Sequence, residues 1–388
     1  MNQTAGAVVI GAGVHGASLA FHLAEAGLAV LVVERASVAG GATGRSSGLV
    51  RMHYDVEADV RLACRSHAYF SDWAERVGGD CGFVETGFLQ LVPPDEVPQL
   101  RANVSMQRRI GVETELVDAR SVGELLPGAV VDDVVQAAWE PRSGYADPSM
   151  TTATLLAAAK ARGARLLTGC AVTGVRVAGG RVVGVDTGRG PIDTPIVVDA
   201  AGAWAGSLAA SVGLDLPLDV WRHDVAYLRR PPGSGRHPVV IDFANAMYAR
   251  PEGDALTLVA LEDGNPIGGS ADDPVDAAAR GFLERAAERL ARRLPAMADA
   301  GLHSAHSGQD GITPDQHPII GPAGPEGFYL DCGFSGTGFK IAPAVGAALA
   351  GLILDRPSSD LDLAAFRLER FADGAPIVGE HPYAPIWR

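Results

Sequence analysis

The segment Ala7-Val8-Val9-Ile10-Gly11-Ala12-Gly13-Val14-His15-Gly16 constrains this chain more than any other feature. The apolar run Ala7 to Ile10 fits a buried parallel strand. Gly11 permits a tight turn after it, Gly13 lets a pyrophosphate approach the backbone, and Gly16 lets the following helix pack closely on the strand. Val14, Ala17, Phe21 and Ala24 recur at helical spacing, and Gly27 is a C-cap signal. The run Ala29 to Val33 reads as a second strand ending in Glu34, 18 residues after Gly16. A carboxylate there accepts hydrogen bonds from both ribose hydroxyls of an adenosine and disfavours a 2′-phosphate. Strand, glycines, helix, strand and acid in this order predict a dinucleotide-binding β–α–β unit that does not take NADP.

The 388-residue chain is long enough for two domains or one composite domain. Its 47% hydrophobic and 20% charged residues are those of an ordinary globular protein. No run approaches the roughly 18 apolar residues of a membrane span, and the N-terminal apolar stretch is already used as a strand, with no basic leader or secretory cleavage pattern. A net charge of −14 argues against a nucleic-acid partner. Cys64, Cys81, Cys170 and Cys332 are widely spaced, which predicts reduced thiols, a cytoplasmic location and no metal site.

Along the chain, 55–78 reads as helix, 82–92 alternates like a strand, and 95–110 is helical again. Asp147 and Pro148 predict a helix to Ala161, with Asp as N-cap and Pro in the first turn. Strands are expected at 165–167, 171–177, 181–185 and 196–198, then through much of 218–261. The Pro/Gly-rich stretch 230–237 reads as a surface hairpin loop. Helices are expected over 275–293 and 343–354, with a strand at 328–331 between them. The fold class is α/β with an added antiparallel sheet.

Two glycine-rich segments carry further chemistry. The loop from Gly40 to Arg51 offers many backbone N–H groups to phosphates or a flat ring. Cys332-Gly333-Phe334-Ser335-Gly336-Thr337-Gly338-Phe339-Lys340 ends in one of only two lysines, against 30 arginines. Together with the fingerprint and Glu34, with Val198-Asp199-Ala200-Ala201-Gly202-Ala203-Trp204 and with Thr313-Pro314-Asp315-Gln316-His317-Pro318, these segments resemble the D-amino acid oxidase superfamily of flavoproteins. The sarcosine oxidase, dimethylglycine dehydrogenase and glycine oxidase branch is the most similar.

The resemblance implies FAD bound in extended form by a Rossmann-like domain of residues 1–84, 146–216 and 308–374. It implies a substrate domain of 85–145 and 217–307, built on a mainly antiparallel sheet that roofs the flavin ring, and a tail of 375–388. The implied FAD contacts begin with Gly11, Gly13, Val14, His15, Gly16, Glu34 and Arg35. They continue with Gly41, Ala42, Thr43, Arg45, Ser46, Ser47, Gly48 and Leu49, then Val172, Ala201, Gly202 and Trp204. Gly311, Gly336, Thr337, Gly338, Phe339 and Lys340 complete the set.

Arg51 matches an arginine that holds the substrate carboxylate in sarcosine oxidases, and Lys340 a lysine that assists it. Two cations beside an apolar face suit a carboxylate, bidentate at the guanidinium. His53, Tyr54, His223 and Tyr248 are candidates for the pocket wall, with Tyr248 foremost. The implied reaction is hydride transfer from the substrate carbon to flavin N5, giving an imine that water hydrolyses; the substrate is a small amine bearing a carboxylate. Relatives attach flavin at places that fall here on Gly308 and Arg45. Neither can form that bond, His303 and His306 are poorly placed to replace them, and FAD is expected to be noncovalent. The strand after Tyr248-Ala249-Arg250-Pro251 lacks the lysine that activates O₂ in sarcosine oxidases. The electron acceptor therefore stays open between O₂ and a redox partner. A 2-hydroxy acid dehydrogenase and a flavin-carrying subunit of a larger complex remain alternative readings. A nicotinamide-dependent dehydrogenase would leave the C-terminal motif unexplained.

Overall fold

The computed structural model describes residues 3–275, 277–358 and 360–384. A six-stranded sheet sits at one end, in the order Arg165–Leu167, Val30–Val33, Ala7–Ile10, Val197–Asp199, Phe328–Cys332, Ile319–Pro322. All neighbours are parallel except the last pair. Ala7–Ile10 lies inside this sheet and is wholly buried, as its unbroken apolar run requires.

Two helices far apart in sequence close over it. Val14–Glu25 and Gly338–Ile353 pack so tightly that a Cβ on Gly346 would meet the Ser18 side chain and backbone. The Ser18 hydroxyl donates to the Ala342 carbonyl at 2.8 Å. Small residues at Ala17, Ala342 and Gly346 permit this approach, which fixes the Gly333–Lys340 turn beside the fingerprint. Pro343 lies inside the second helix, which begins at Gly338 and not at Pro343 as expected. The missing amide leaves the Phe339 carbonyl without its usual helical partner, and burial of the helix overrides that cost.

The second sheet has eight strands in the order Gly301–Ile312, Asp219–Arg229, Leu256–Leu261, Met247–Glu252, Val239–Asp242, Phe88–Leu91, Ala137–Glu140, Glu115–Val117. It is antiparallel except where Val239–Asp242 meets Phe88–Leu91. Helix Arg280–Arg293 covers one face, through Phe282, Ala286 and Leu290 against Met247, Val259 and Leu261. The opposite face, bearing Phe88, Val225, Ile241, Tyr248 and Ala260, turns toward the first lobe.

Several expectations change. The stretch 230–237 is not a hairpin loop: the strands it joins are separated by Met247–Glu252 and Leu256–Leu261 in the sheet. The run 82–92 is two short strands, Val84–Glu85 and Phe88–Leu91, because Gly87 takes φ 75°. The helix expected from 275 begins at Arg280; Asp276 lies outside the described residues. Strand Gly301–Ile312 was not foreseen, since its polar sequence alternates weakly and it lies at a sheet edge. It runs through the expected 307/308 boundary. Of the expected tail, 375–384 lies along the molecule and 385–388 falls outside the described residues.

Arg370 ties that tail down. It is fully buried and donates to Asp315 at 2.8 and 2.9 Å and to the His317 carbonyl at 2.8 Å. Asp315 also accepts from the Ile377 amide at 3.0 Å. Removing one partner of a buried ion pair leaves an uncompensated charge. Arg370→Ala should cost about 3–5 kcal/mol of stability, read as a lower midpoint in urea unfolding; an unchanged midpoint would show the pair to be dispensable.

Candidate functional site

The fingerprint forms one end of a long cavity of about 1060 Å³. Gly11 has φ 106°, and a Cβ on it would lie 2.5 Å from the Ala200 carbonyl oxygen. A Cβ on Gly16 would collide with the Gly11 carbonyl, so Gly16 sets helix-to-strand packing and does not itself line the cavity. Thr43 Oγ1 accepts from the Val14 amide at 3.1 Å, bringing the Gly40–Arg51 loop over the helix start. The first-turn amides of a helix lack intrahelical partners and favour anions. Glu34 accepts from the Ala12 and Ala36 amides at 2.9 and 2.7 Å, which orients its carboxylate at the cavity rim. Arg35 stacks 4.0 Å from the Trp204 ring centroid. Asp272 accepts from both side chains at 2.8 Å, linking the loop after Leu261 to this end.

The Gly333–Lys340 turn forms the middle. Phe334 stacks on His15 with centroids 3.5 Å apart, and the His15 Nε2 lies 3.0 Å from the Gly338 carbonyl oxygen. Asp310 accepts from the Gly336 amide at 2.8 Å, and its carboxyl is pushed above the usual range by burial. Gly308 and Arg45 both line the cavity, and a Cβ on Gly308 would sit 3.1 Å from the Arg45 Cβ. The two places where flavin attachment was considered are therefore side by side. His303 and His306 are outside the lining; His306 Nε2 meets the Arg45 carbonyl at 3.2 Å.

Arg51 and Lys340 share the far end with Tyr54. The Arg51 guanidinium lies 4.3 Å and the Lys340 Nζ 5.9 Å from the Tyr54 ring centroid. Arg51 donates to the His53 carbonyl, while its Nε and the Tyr54 hydroxyl have no hydrogen-bond partner among the described residues. Among the described residues, neither cation forms an ion pair. Burial, then Arg51, holds the Lys340 amine well below its usual pKa, against the pull of Asp59 and Asp310. The same two causes push His53 down to about 3.

The sheet supplies the opposite wall. Tyr248 Oη and His223 Nε2 lie 2.8 Å apart with nearly parallel rings. Burial raises the Tyr248 phenol and lowers His223 to about 4, so the pair is neutral. Gln90, Ile241 and Glu262 lie on the same wall.

Most residues expected at the site line this single cavity: Gly13, Val14, Arg35, Gly41, Ala42, Ser46, Ser47, Leu49, Val172, Ala201, Gly202, Trp204, Gly336, Thr337, Gly338 and Phe339 with those already described. Gly48 and Gly311 do not. Gly48 takes φ 68° against the Ala146 carbonyl, and Gly311 packs on Leu218, its carbonyl accepting from Ser335 at 3.0 Å. Sequence reasoning missed Gln90, Glu262, Asp272, 376–379 and 382–384, all on the cavity wall. Tyr383 Oη lies 2.7 Å from His53 Nε2, and Asn103 holds the His381 carbonyl at 3.0 Å. The strand period would have found Glu262, since Leu258, Ala260 and Glu262 share one parity.

A sheet whose strand ends open onto the glycine fingerprint, joined to a second sheet that lines the same cavity, is the architecture of a flavin-dependent oxidoreductase. The chain belongs to the DAO family of FAD dependent oxidoreductases, whose model it matches over residues 7–352. It is similar to human mitochondrial sarcosine dehydrogenase, 32% identical over 92% of this chain and 41% of that protein. It is similar also to the sarcosine oxidase subunit beta of Rhodobacter capsulatus, 27% identical over 95% of this chain and 88% of that one. The chain thus spans less than half the length of the human relative. Among solved structures, L-proline dehydrogenase from P. horikoshii superposes with a TM-score of 0.90 at 29% identity, covering 96% of this chain and 99% of that one. Glycine oxidase from Geobacillus kaustophilus gives 0.83 at 26%, covering 95% and 99%. No helix among the described residues is long and apolar enough to cross a membrane.

The residues present fit FAD: an acid for the ribose, glycines at the helix start, and a cavity at the upper limit of the roughly 300–1,000 Å³ usual for small-molecule sites. Glu34→Ala should weaken FAD binding about 10- to 100-fold, the value of hydrogen bonds to a charged group. Flavin fluorescence titration of the apoprotein measures this; unchanged affinity would remove Glu34 from the adenosine end.

Proposed function

We propose that this chain oxidises the C–N bond of a small amino acid or N-methyl amino acid, with Arg51 and Lys340 holding the substrate carboxylate. The observation that carries this reading is a half-buried guanidinium, its Nε enclosed, and a buried amine in one cavity, neither paired with a carboxylate among the described residues. Buried charges are ordinarily paired, and an incoming carboxylate supplies the missing partner. The names of the similar proteins, sarcosine dehydrogenase, glycine oxidase and L-proline dehydrogenase, support an amine substrate.

FAD, held from Glu34 to the Gly333–Lys340 turn, supplies the acceptor for the substrate's hydride. The chain binds and orients. Arg51 offers a planar fork to the carboxylate, Tyr54 closes the space between the two cations, and the neutral Tyr248–His223 pair bounds the reacting carbon's side. The tail residues Tyr383 and Ile377 help exclude water. Arg45 and Gly308 at the attachment places support noncovalent FAD. The strand Leu256–Leu261 carries no lysine, which favours a dehydrogenase handing electrons to a partner over rapid reaction with O₂. Free cysteines at 64, 81, 170 and 332 are in keeping with a cytoplasmic protein.

Anaerobic mixing of the FAD-loaded protein with sarcosine, other N-methyl amino acids, D- and L-proline and 2-hydroxy acids tests the reaction class. Bleaching of the flavin band by an amine is expected; bleaching by hydroxy acids alone would overturn the proposal. Arg51→Met should retain FAD and lose roughly 10- to 100-fold in carboxylate affinity. A carboxylate beside Lys340 raises an amine pKa that burial has lowered. Binding of a carboxylate that lacks an amine, such as methylthioacetate, should therefore take up protons, seen by calorimetry as a buffer-dependent heat; no such dependence would exclude Lys340 from the clamp.

A further inference from the structure

Glu262 is a carboxyl that the carboxylate clamp does not use. It follows strand Leu256–Leu261, on the cavity side of the sheet. Ala260 lies opposite Tyr248 on one neighbouring strand and opposite Val225 on the other. Two residues further along, the alternation brings Glu262 to the level of His223. Glu262 lines the cavity and is 2% exposed, and its Oε2 has no hydrogen-bond partner. It makes no ion pair among the described residues.

The other buried carboxyls of this lobe are used structurally. Glu140 accepts from the Met52 amide at 3.0 Å and the Ser143 hydroxyl at 2.6 Å. Asp242 accepts from Arg293 at 2.7 Å and from Asn245 at 2.8 Å. An unpaired carboxyl in a cavity wall disfavours folding unless a ligand meets it.

We propose that Glu262 is the subsite for the substrate's amino nitrogen, in the same cavity as the carboxylate clamp. The assignment rests on the amino acid reading above and sharpens it. A zwitterion carries a negative end for Arg51 and Lys340 and a positive end for Glu262. A 2-hydroxy acid fills the first and leaves the second uncompensated. Selection for amines over hydroxy acids then comes from one carboxyl.

The charges around it agree. Burial pushes the Glu262 carboxyl up to about 8; Arg51 opposes the rise, while Asp242 and Asp263 add to it. Those two acids are held by Arg293 and Arg289 on the far helix. An ammonium group beside Glu262 favours its ionised form, so the carboxyl gives up its proton as the amine binds.

The test compares amines with isosteres that keep the carboxylate and lack the amine. Sarcosine is paired with methylthioacetate, L-proline with tetrahydrofuran-2-carboxylate, and glycine with glycolate. Affinities are read anaerobically from perturbation or bleaching of the flavin spectrum in wild type, Glu262→Gln and Glu262→Asp. The expected result is a loss of at least ten-fold for the amine in Glu262→Gln with the isostere within two-fold of wild type, and an intermediate loss in Glu262→Asp. Isostere binding also reports that each variant is folded. Equal amine affinities in Glu262→Gln and wild type would overturn the assignment and leave the clamp standing. Failure of every carboxylate to perturb wild-type flavin would overturn the clamp and the assignment with it.

Discussion

An arginine and a buried lysine amine that meet no carboxylate among the described residues set the terms for the rest of this molecule. Arg51 comes from the loop after the second strand of the β–α–β unit, and Lys340 from the first turn of a helix almost three hundred residues later. A charge on the buried Lys340 amine is costly without a partner. The cost is sustained because helices Val14–Glu25 and Gly338–Ile353 interlock through Ser18, Ala342 and Gly346. Lys340 is thereby carried on a rigid element, Arg51 directly follows strand Leu49–Val50, and a bound anion can recover what burial costs.

That geometry also orders the site electrically. The glycines, helix amides and Glu34 form an end suited to pyrophosphate and ribose. Arg51 and Lys340 form an end suited to a carboxylate. Between them the Tyr248–His223 pair is neutral, because burial raises one group and lowers the other. Glu262 adds a point of opposite sign. The cavity is thus matched to a dipolar ligand lying beside a long, flat, polyanionic cofactor.

Much of this was legible in the sequence, for definable reasons. Gly11 and Gly16 sit where backbone meets backbone, so no other residue type fits, and Gly13 faces the Thr43 hydroxyl at the cavity. Lys340 stood out because lysine is so rare here. Elements with strong apolar periodicity were read correctly in kind, and Asp147–Pro148 marked a helix start to the residue. What escaped notice depends on distant contacts. Strand Gly301–Ile312 is polar and held by its neighbour, Asp219–Arg229. Residues 376–384 reach the cavity only because Asp315, Asn103 and Glu96 anchor them. The loop 230–237 has hairpin composition, but sheet order joins it to strands that never pair. Glu262 was visible by parity alone, yet nothing local distinguishes it from a solvated acid.

The most direct measurement is a crystal structure of the FAD-loaded protein with methylthioacetate bound. The account predicts the ligand carboxylate between the Arg51 guanidinium and the Lys340 amine, with its sulfur toward Glu262. A carboxylate bound elsewhere, with Arg51 turned onto Glu262, would contradict it.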